Sequence, residues 1–437
     1  MIDMRYKLND VYIVDGSRTP FLKAKGSPGK FKALDLAIQV VRPMLIRNDI
    51  GNDDVDELVV GCMNPNADEC NIAKLLSLRL GLNVDIPAYT VQRNCASGLQ
   101  SIDSAYRSIS CGQSDLIIAG GTETMSRAPL LFNDDMTMWL SEFTLAKTFS
   151  KKLSVLLKFR PKLLVPVISL LRALKDPTIN LSMGQTAENL AYKFNISRND
   201  MDAYSLDSHM KASISQNTNV LEDEIVTIYD TDGNFYNKDE SVRSKNTIEK
   251  LGKLRPVFDK IFGNVTAGNS SPITDGASFV LLASEDALDK YGLRDKAIAK
   301  IIDTKWAGVD PSEMGLGPVQ SIVPLVMRNG LRCDDIDSWE LNEAFASQVI
   351  GCTRAMNDAD YCLSEFGLDE PFGIIPDEKL NVHGGSISIG HPVGASGTRI
   401  VYHLIKTLES SGGHYGVASL CIGHGQGGAI LVENLKR

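Results

Sequence analysis

TVQRNCASGLQSIDSAYRSISCGQSDLIIAGG, residues 90–121, decides the fold. AYTVQ at 88–92 and DLIIAGG at 115–121 are β-branched, apolar runs that read as strands. Between them Leu99, Ile102, Tyr106 and Ile109 recur at i, i+3, i+7 and i+10, which predicts a helix over 96–110 with one apolar face. Strand, helix, strand is the grammar of an α/β layer. Cys95 falls at the start of that helix, where unpaired N–H groups and the positive helix end both favour a thiolate. A cysteine in a long chain is more often a small buried apolar residue. Here Ala96, Ser97 and Gly98 leave open space around the sulfur, and the balance shifts toward a nucleophile.

Further strands read out at VYIV (11–14) and ELVVG (57–61). The last third repeats the grammar: SWELN at 338–342 and LNVHGG at 380–385 read as strands. A glycine-rich turn follows, then a helix marked by Val401, Leu404 and Leu408, then the strand YGVASLC at 415–421. One small-residue elbow surrounds Cys95 and the other His391, so the chain is an internal duplication. The expected division is a first half over 1–121, an inserted, mainly helical cap over 122–262, a return to the first half over 263–290, and a second half over 291–437.

At 437 residues, 43% hydrophobic and 23% charged, the chain is folded and has material for a large core. A net charge of −9 argues against a nucleic-acid partner. Eight cysteines without a CxxC pair indicate neither a disulfide framework nor a metal site. The N-terminal residues show no leader pattern, and the longest apolar stretch, 163–171, is interrupted by Pro166 and is far short of the ~20 residues that span a bilayer. A cytoplasmic protein is expected.

A thiolate needs a base, and there are six histidines. His391 stands out within GGSISIGHPVGASG (384–397), where small residues permit close approach and Pro392 fixes the turn. His383 and His424 lie on similar glycine-rich ground and are weaker candidates. His209 and His403 read as surface or packing residues. The alternating Gly423, Gly425 and Gly427 suggest a dinucleotide site, but no helix, strand and ribose-binding carboxylate follow them. Two cysteines, Cys95 and Cys421, and a histidine at equivalent elbows point to acyl transfer.

NCASG at 94–98, NEAF at 342–345, GHPVGASG at 390–397 and CIGHGQG at 421–427, supported by MGQTAEN at 183–189 and VTAGNSSPITDGA at 265–277, together resemble the thiolases, which make or cleave 3-ketoacyl-CoA. The resemblance implies a five-layer αβαβα fold from two similar halves with a CoA-receiving cap. It implies that Cys95 is the acylated nucleophile, His391 its base, and Cys421 the acid/base for the acetyl α-carbon or the incoming thiol. Asn342 would hold a water that, with His391, stabilises one oxyanion, and the N–H groups of Cys95 and Gly423 would stabilise the other. CoA contacts would come from Ser182, Met183, Ala267, Gly268, Ser271, Ala344 and Phe345. CoA and acyl-CoA enter as substrates, with no permanently bound cofactor, and a homodimer or homotetramer is implied.

His383 stands where the family usually has Asn, and His424 where it usually has Gly. The cap extension, 129–178, resembles that of thiolase subunits in fatty-acid oxidation complexes, although those often carry His in place of Asn342. The expected activity is thiolysis of 3-ketoacyl-CoA in β-oxidation. The rivals are acetoacetyl-CoA synthesis by the same residues and a non-catalytic acyl-CoA or lipid carrier of the same fold. Within the extension, 143–175 carries eight basic residues and no acidic one, interleaved with leucine and valine and broken by Pro161 and Pro166 into two expected short helices. Such a segment suits an anionic membrane surface or a β-oxidation partner subunit.

Overall fold

A computed structural model describes residues 8–436. In the first half, strand Thr274–Ser284 lies between Val11–Arg18 and Leu116–Thr124, antiparallel to both. Glu57–Gly61 and then Ala88–Val91 add parallel to the outer side. The second half repeats this order. Ala299–Gly308 pairs antiparallel with Gln426–Asn434, which pairs antiparallel with Tyr415–Ile422, and Ser338–Leu341 adds parallel. Residues 11–13 also pair with 299–301 and so connect the two halves.

Strand alternation then assigns each face to a layer. Leu116, Ile118, Phe279 and Leu281 point to an outer core shared with helices Ala33–Asn48 and Ile72–Leu80. Their neighbours Ile117, Ala119, Val280 and Leu282 point inward, onto helices Ser97–Ser110 and Val393–Ser411. Ala418, Leu420, Ile430 and Val432 of the second sheet meet the same two helices from the far side. Val417, Ala429 and Leu431 face helices Gly317–Arg328 and Ala346–Met356 in the other outer core. The result is five layers with the two duplicated helices at the centre, each following its elbow.

Between Thr124 and Thr274 the strands are only two residues long, and helices Asp134–Leu145, Met183–Lys193 and Arg198–Asn217 dominate. Their starts are capped as expected: the Ser182 and Gln185 side chains exchange hydrogen bonds with each other's backbone N–H, as do Ser197 and Asp200. A buried ion network ties this region to the body. Arg18 pairs with Glu224 at 2.7 Å and Asp239 at 2.8 Å, His403 Nδ1 meets Glu224 at 2.8 Å, and Arg399 meets Glu340 at 3.1 Å.

Two sequence expectations change and a third gains detail. Residues 380–385 form no strand: only Leu380 bridges Trp339, and positive φ at Asn381 and Gly384 curls the chain away. The 143–175 segment holds the two short helices expected, one before Pro161 and one after Pro166, and adds what the sequence did not show between them. Helix Phe149–Leu156 is followed by a 3-10 turn at Pro161–Leu164, a strand Val167–Ile168 paired with Leu130–Leu131, and a five-residue helix Ser169–Ala173. His403 is neither bland packing nor surface, since it is buried and sits between two glutamates.

Candidate active site

Strand Ala88–Val91 delivers the chain to a tight turn in which Asn94 adopts φ 44°. The Arg93 N–H donates to Ser97 Oγ at 2.9 Å and Ser97 Oγ donates to the Asn94 carbonyl at 2.7 Å, so the elbow is stapled shut before the helix starts. Arg93 lies 4.0 Å over the Trp306 ring and fixes the outer side of the same turn. The small residues after Cys95 do not leave open space, as the sequence suggested. A Cβ on Gly98 would stand 2.8 Å from both the Gly394 carbonyl and Thr398 Oγ1, and one on Gly397 would stand 2.3 Å from the Leu99 nitrogen. These glycines let the two central helices touch backbone to backbone, which brings the Cys95 and His391 elbows together.

The Cys95 sulfur faces its own N–H and that of Gly423, and both favour the thiolate. Desolvation outweighs them and pushes the thiol above its ordinary 9.0, contrary to the thiolate expected from the helix terminus alone. The resting nucleophile is therefore a thiol that needs a base. His391 suits that task. Ser396 Oγ donates to the Pro392 carbonyl at 3.0 Å, so at 2.6 Å from His391 Nδ1 it accepts, placing the ring proton on Nδ1 and leaving Nε2 with a lone pair. Burial and the Arg399 charge lower His391 to about 3, which keeps the ring neutral. Nε2 is buried and has no hydrogen-bond partner among the described residues.

Asn342 follows strand Ser338–Leu341 and is fully buried. Its Oδ1 accepts from Ser386 Oγ at 2.6 Å, and Ser386 Oγ accepts from Arg399 at 3.3 Å. Asn342 Nδ2 has no partner among the described residues, so the site holds two buried, unmet polar atoms, one on Asn342 and one on His391. Unmet buried groups cost about 1–3 kcal/mol each, which makes them diagnostic of a ligand or water position. Cys421 ends the strand beside this space; burial, with the nearby Cys95 charge adding to it, drives its thiol well up.

The residues expected to meet CoA form a connected wall. A Cβ on Gly423 would lie 3.2 Å from Met183 Sδ, the Ser271 N–H donates to the Ala344 carbonyl at 3.0 Å, and Phe345 stacks edge-on against Phe258 at 5.9 Å. Ser182 commits its hydroxyl to the helix cap. Ala267 is exposed, and Gly268 packs under Leu251 and Leu254. Those two leucines line a cavity of about 420 Å³ together with Arg243, Lys245 and Lys250. In the sequence these residues lie unmarked within the inserted cap, and three cations within eight positions, ahead of the VTAGNSSPITDGA segment, are the available signal. Met63, Met125, Leu170 and Val393 form an apolar cluster that touches Cys95, Ala128 and Leu174. Met125, Ala128 and Leu170 also line a cavity of about 950 Å³.

Glu123 was also missed. It accepts from the N–H groups of Met63, Asn64 and Gly394, holding the apolar wall to the His391 elbow, and burial raises it to about 7. Its signal is the one charged residue of a fully buried strand, Leu116–Thr124. His383 is directed to His403, 3.2 Å away, and desolvation lowers it to about 4. His424 adopts φ 71° at an exposed turn, with Nδ1 3.3 Å from Asn94 Nδ2. No cluster of three or more metal-ligating side chains occurs among the described residues.

A thiol at a helix start, a neutral imidazole, a second thiol and two converging N–H donors are equipment for moving an acyl group between sulfur atoms. The chain belongs to the thiolase family: residues 11–286 match the thiolase N-terminal domain and 295–434 the thiolase C-terminal domain. It is an acyltransferase, and CoA thioesters are the substrates of this family. The chain is 38% identical to a beta-ketoadipyl-CoA thiolase of Acinetobacter baylyi, covering 98% of this chain and all of that one. It is 35% identical to the mitochondrial trifunctional enzyme subunit beta of Rattus norvegicus, covering 98% and 88%. The crystal structure of human mitochondrial 3-ketoacyl-CoA thiolase superposes with a TM-score of 0.84 at 35% identity, covering 98% and 100%, and a CoA complex of a human mitochondrial 3-ketoacyl-CoA thiolase is equally similar.

Proposed function

We propose that this enzyme cleaves 3-ketoacyl-CoA by thiolysis through an acyl-Cys95 intermediate, as a degradative step on fatty acyl chains. His391 Nε2 takes the Cys95 proton and the thiolate attacks the C3 carbonyl. The N–H groups of Cys95 and Gly423 hold the resulting oxyanion. The C2–C3 bond then breaks, and the electron pair passes to the acetyl-CoA enolate, whose oxygen is held by His391 and by a water on Asn342. Cys421 returns a proton to the acetyl carbon, acetyl-CoA leaves, and free CoA, deprotonated by Cys421, takes the acyl group from Cys95. Cys95 leaves as a thiolate and recovers its proton from His391, so the acyl group ends on CoA and all three residues return to their starting protonation.

The observation that carries this reading is the convergence of two N–H groups on the Cys95 sulfur, on an elbow packed backbone to backbone against that of His391, whose Nε2, like Asn342 Nδ2, is buried without a partner among the described residues. For CoA, Ser182, Met183, Ala267, Gly268, Ser271, Ala344 and Phe345 would line the pantetheine route, and Arg243, Lys245 and Lys250 would receive phosphate. For the acyl chain, the apolar cluster beside Cys95 and the cavity beyond it support chains longer than acetoacetyl. The relatives named as 3-ketoacyl-CoA thiolase and trifunctional enzyme subunit beta support fatty-acid degradation and a partner subunit.

A second reading, synthesis of acetoacetyl-CoA from acetyl-CoA, has its own support in a 32% identical Bacillus anthracis acetyl-CoA acetyltransferase of TM-score 0.82. CoA-dependent cleavage of 3-ketoacyl-CoA substrates of increasing chain length separates the two. Cleavage that favours long chains is expected; activity on acetoacetyl-CoA alone would favour the second reading.

A further inference from the structure

Fourteen of the thirty-four large exposed hydrophobic side chains among the described residues fall between 130 and 171. Helix Phe149–Leu156 shows how this arises. Phe149, Leu153, Leu156 and Leu157 recur at i, i+4, i+7 and i+8, which makes one apolar stripe, yet Phe149 is 83% and Leu157 81% exposed while only Val155 is buried. A surface helix ordinarily turns such a stripe onto its own core. Here the segment is ordered from beneath: Trp139 stacks on Phe143, meets Phe159 edge-on and donates Nε1–H to the Val155 carbonyl at 2.9 Å. The stripe is thus held outward.

The charges around it are predominantly positive, with eight cations against three acids, Asp134, Asp135 and Glu142. Lys158 and Lys162 pair with Glu142 and Asp135, whereas Lys147, Lys151, Lys152, Arg160, Arg172 and Lys175 are exposed and make no ion pair among the described residues. On a chain of net charge −9 this is a local reversal. Cations flanking an outward apolar stripe, on a helix too short to span, match a surface that is acidic at its outer level and hydrocarbon just below.

We propose that the face carried by residues 130–175 seats the enzyme on an anionic lipid bilayer, with Phe149, Leu153 and Leu157 entering the headgroup boundary and the six unpaired cations resting on lipid phosphates. Leu130 and Ile168 belong to this exposed face and also rim the cavity of about 950 Å³ beside the Cys95 cluster, so docking turns that cavity toward the lipid. That consequence rests on the acyl-chain reading above; the docking does not.

Flotation of the full chain with phosphatidylcholine vesicles, with and without about a quarter phosphatidylglycerol, tests the proposal. About tenfold more protein is expected with the anionic vesicles, falling to the neutral level in 1 M salt, where screening shortens to about 3 Å. Phe149→Ser/Leu157→Ser and Lys151→Glu/Lys152→Glu, all at exposed positions, are each expected to lose flotation and keep acetoacetyl-CoA cleavage. Equal flotation with both vesicles, or none with either, overturns it. So does light scattering that shows a second copy covering this face, read as an oligomer that Phe149→Ser/Leu157→Ser dissociates.

Discussion

Ser386 Oγ donates to Asn342 Oδ1 at 2.6 Å, and through that bond the orientation of the Asn342 amide is fixed with Nδ2 left free. The hydroxyl itself accepts from Arg399, whose charge is neutralised by Glu340. A chain of three buried side chains thus stands behind one donor. Ser386→Ala should leave CoA binding intact and lower kcat about tenfold, a fraction of the 10²–10³ typical of losing an oxyanion donor outright. Ser386→Thr should restore it. A rise in KM with unchanged kcat would show that Ser386 supports binding instead.

Cys421 should be needed for chemistry at carbon and not for acylation. Cys421→Ala, incubated with substrate in the absence of CoA, is expected to carry an acyl mass on the Cys95 peptide. It should also lose exchange of acetyl-CoA methyl protons with solvent. Wild-type exchange in that variant would remove Cys421 from the mechanism.

Because desolvation holds the Cys95 thiol above 9.0, alkylation of the free enzyme by iodoacetamide should climb with pH, about tenfold per unit, without a plateau below pH 9. A plateau between pH 6 and 8 would mean that a thiolate–imidazolium pair already exists at rest. His391, lowered to about 3, should contribute no titration to kcat/KM between pH 5 and 8.

His403 and Glu224 make stability depend on pH in a defined window. Burial opposes charge on His403, but Glu224 and Glu340 raise its pKa above 6.5. Its contribution is complete below 6.5 and is lost as pH rises through the raised folded value. Glu224 is held far below its ordinary 4.5 by His403 and Arg18, so its share is lost as pH falls below that value. Between about pH 4.5 and 6.5 both shares are in place. The Tm gap between wild type and His403→Gln should therefore be widest near pH 5.5 and shrink toward pH 9. A gap that stays constant over that range would show that the ring acts by packing alone.

Arg243→Ala and Lys250→Ala should each raise KM for CoA several-fold with little change in kcat, since groups remote from the reacting atoms contribute uniform binding. Desulfo-CoA, which lacks the thiol, should lose affinity for the same variants by the same factor. Unchanged affinity would place the phosphates elsewhere.

The two elbows were legible because their evidence is local: strand alternation, one helical stripe and a glycine run lie within about thirty residues of each other at Cys95 and again at His391. Cys421 was legible as a cysteine at a strand end before a glycine-rich exit, whereas Asn342, after another readable strand, was found by resemblance. What stayed hidden depends on partners far along the chain. His403 meets Glu224 across 179 positions, so no window could show that its ring sits between acids. The state of Cys95 was misjudged for the same reason. The helix terminus is visible in sequence, whereas the desolvation that overrides it comes from layers folded over the site. Residues 380–385 looked like a strand by composition, and two positive-φ positions curl them into a turn.

The contact of Gly98 and Gly397 with the opposing helix means that catalytic spacing is set by main chain, with no side chain that selection or design can adjust. A methyl group at either position would wedge the two repeats apart and separate nucleophile from base in the same stroke. New substrate preferences can therefore arise in the cap and the walls around Met125 and Leu170, while the junction of the ancestral copies stays frozen. Gene duplication, in such a protein, is preserved as a mechanical bearing.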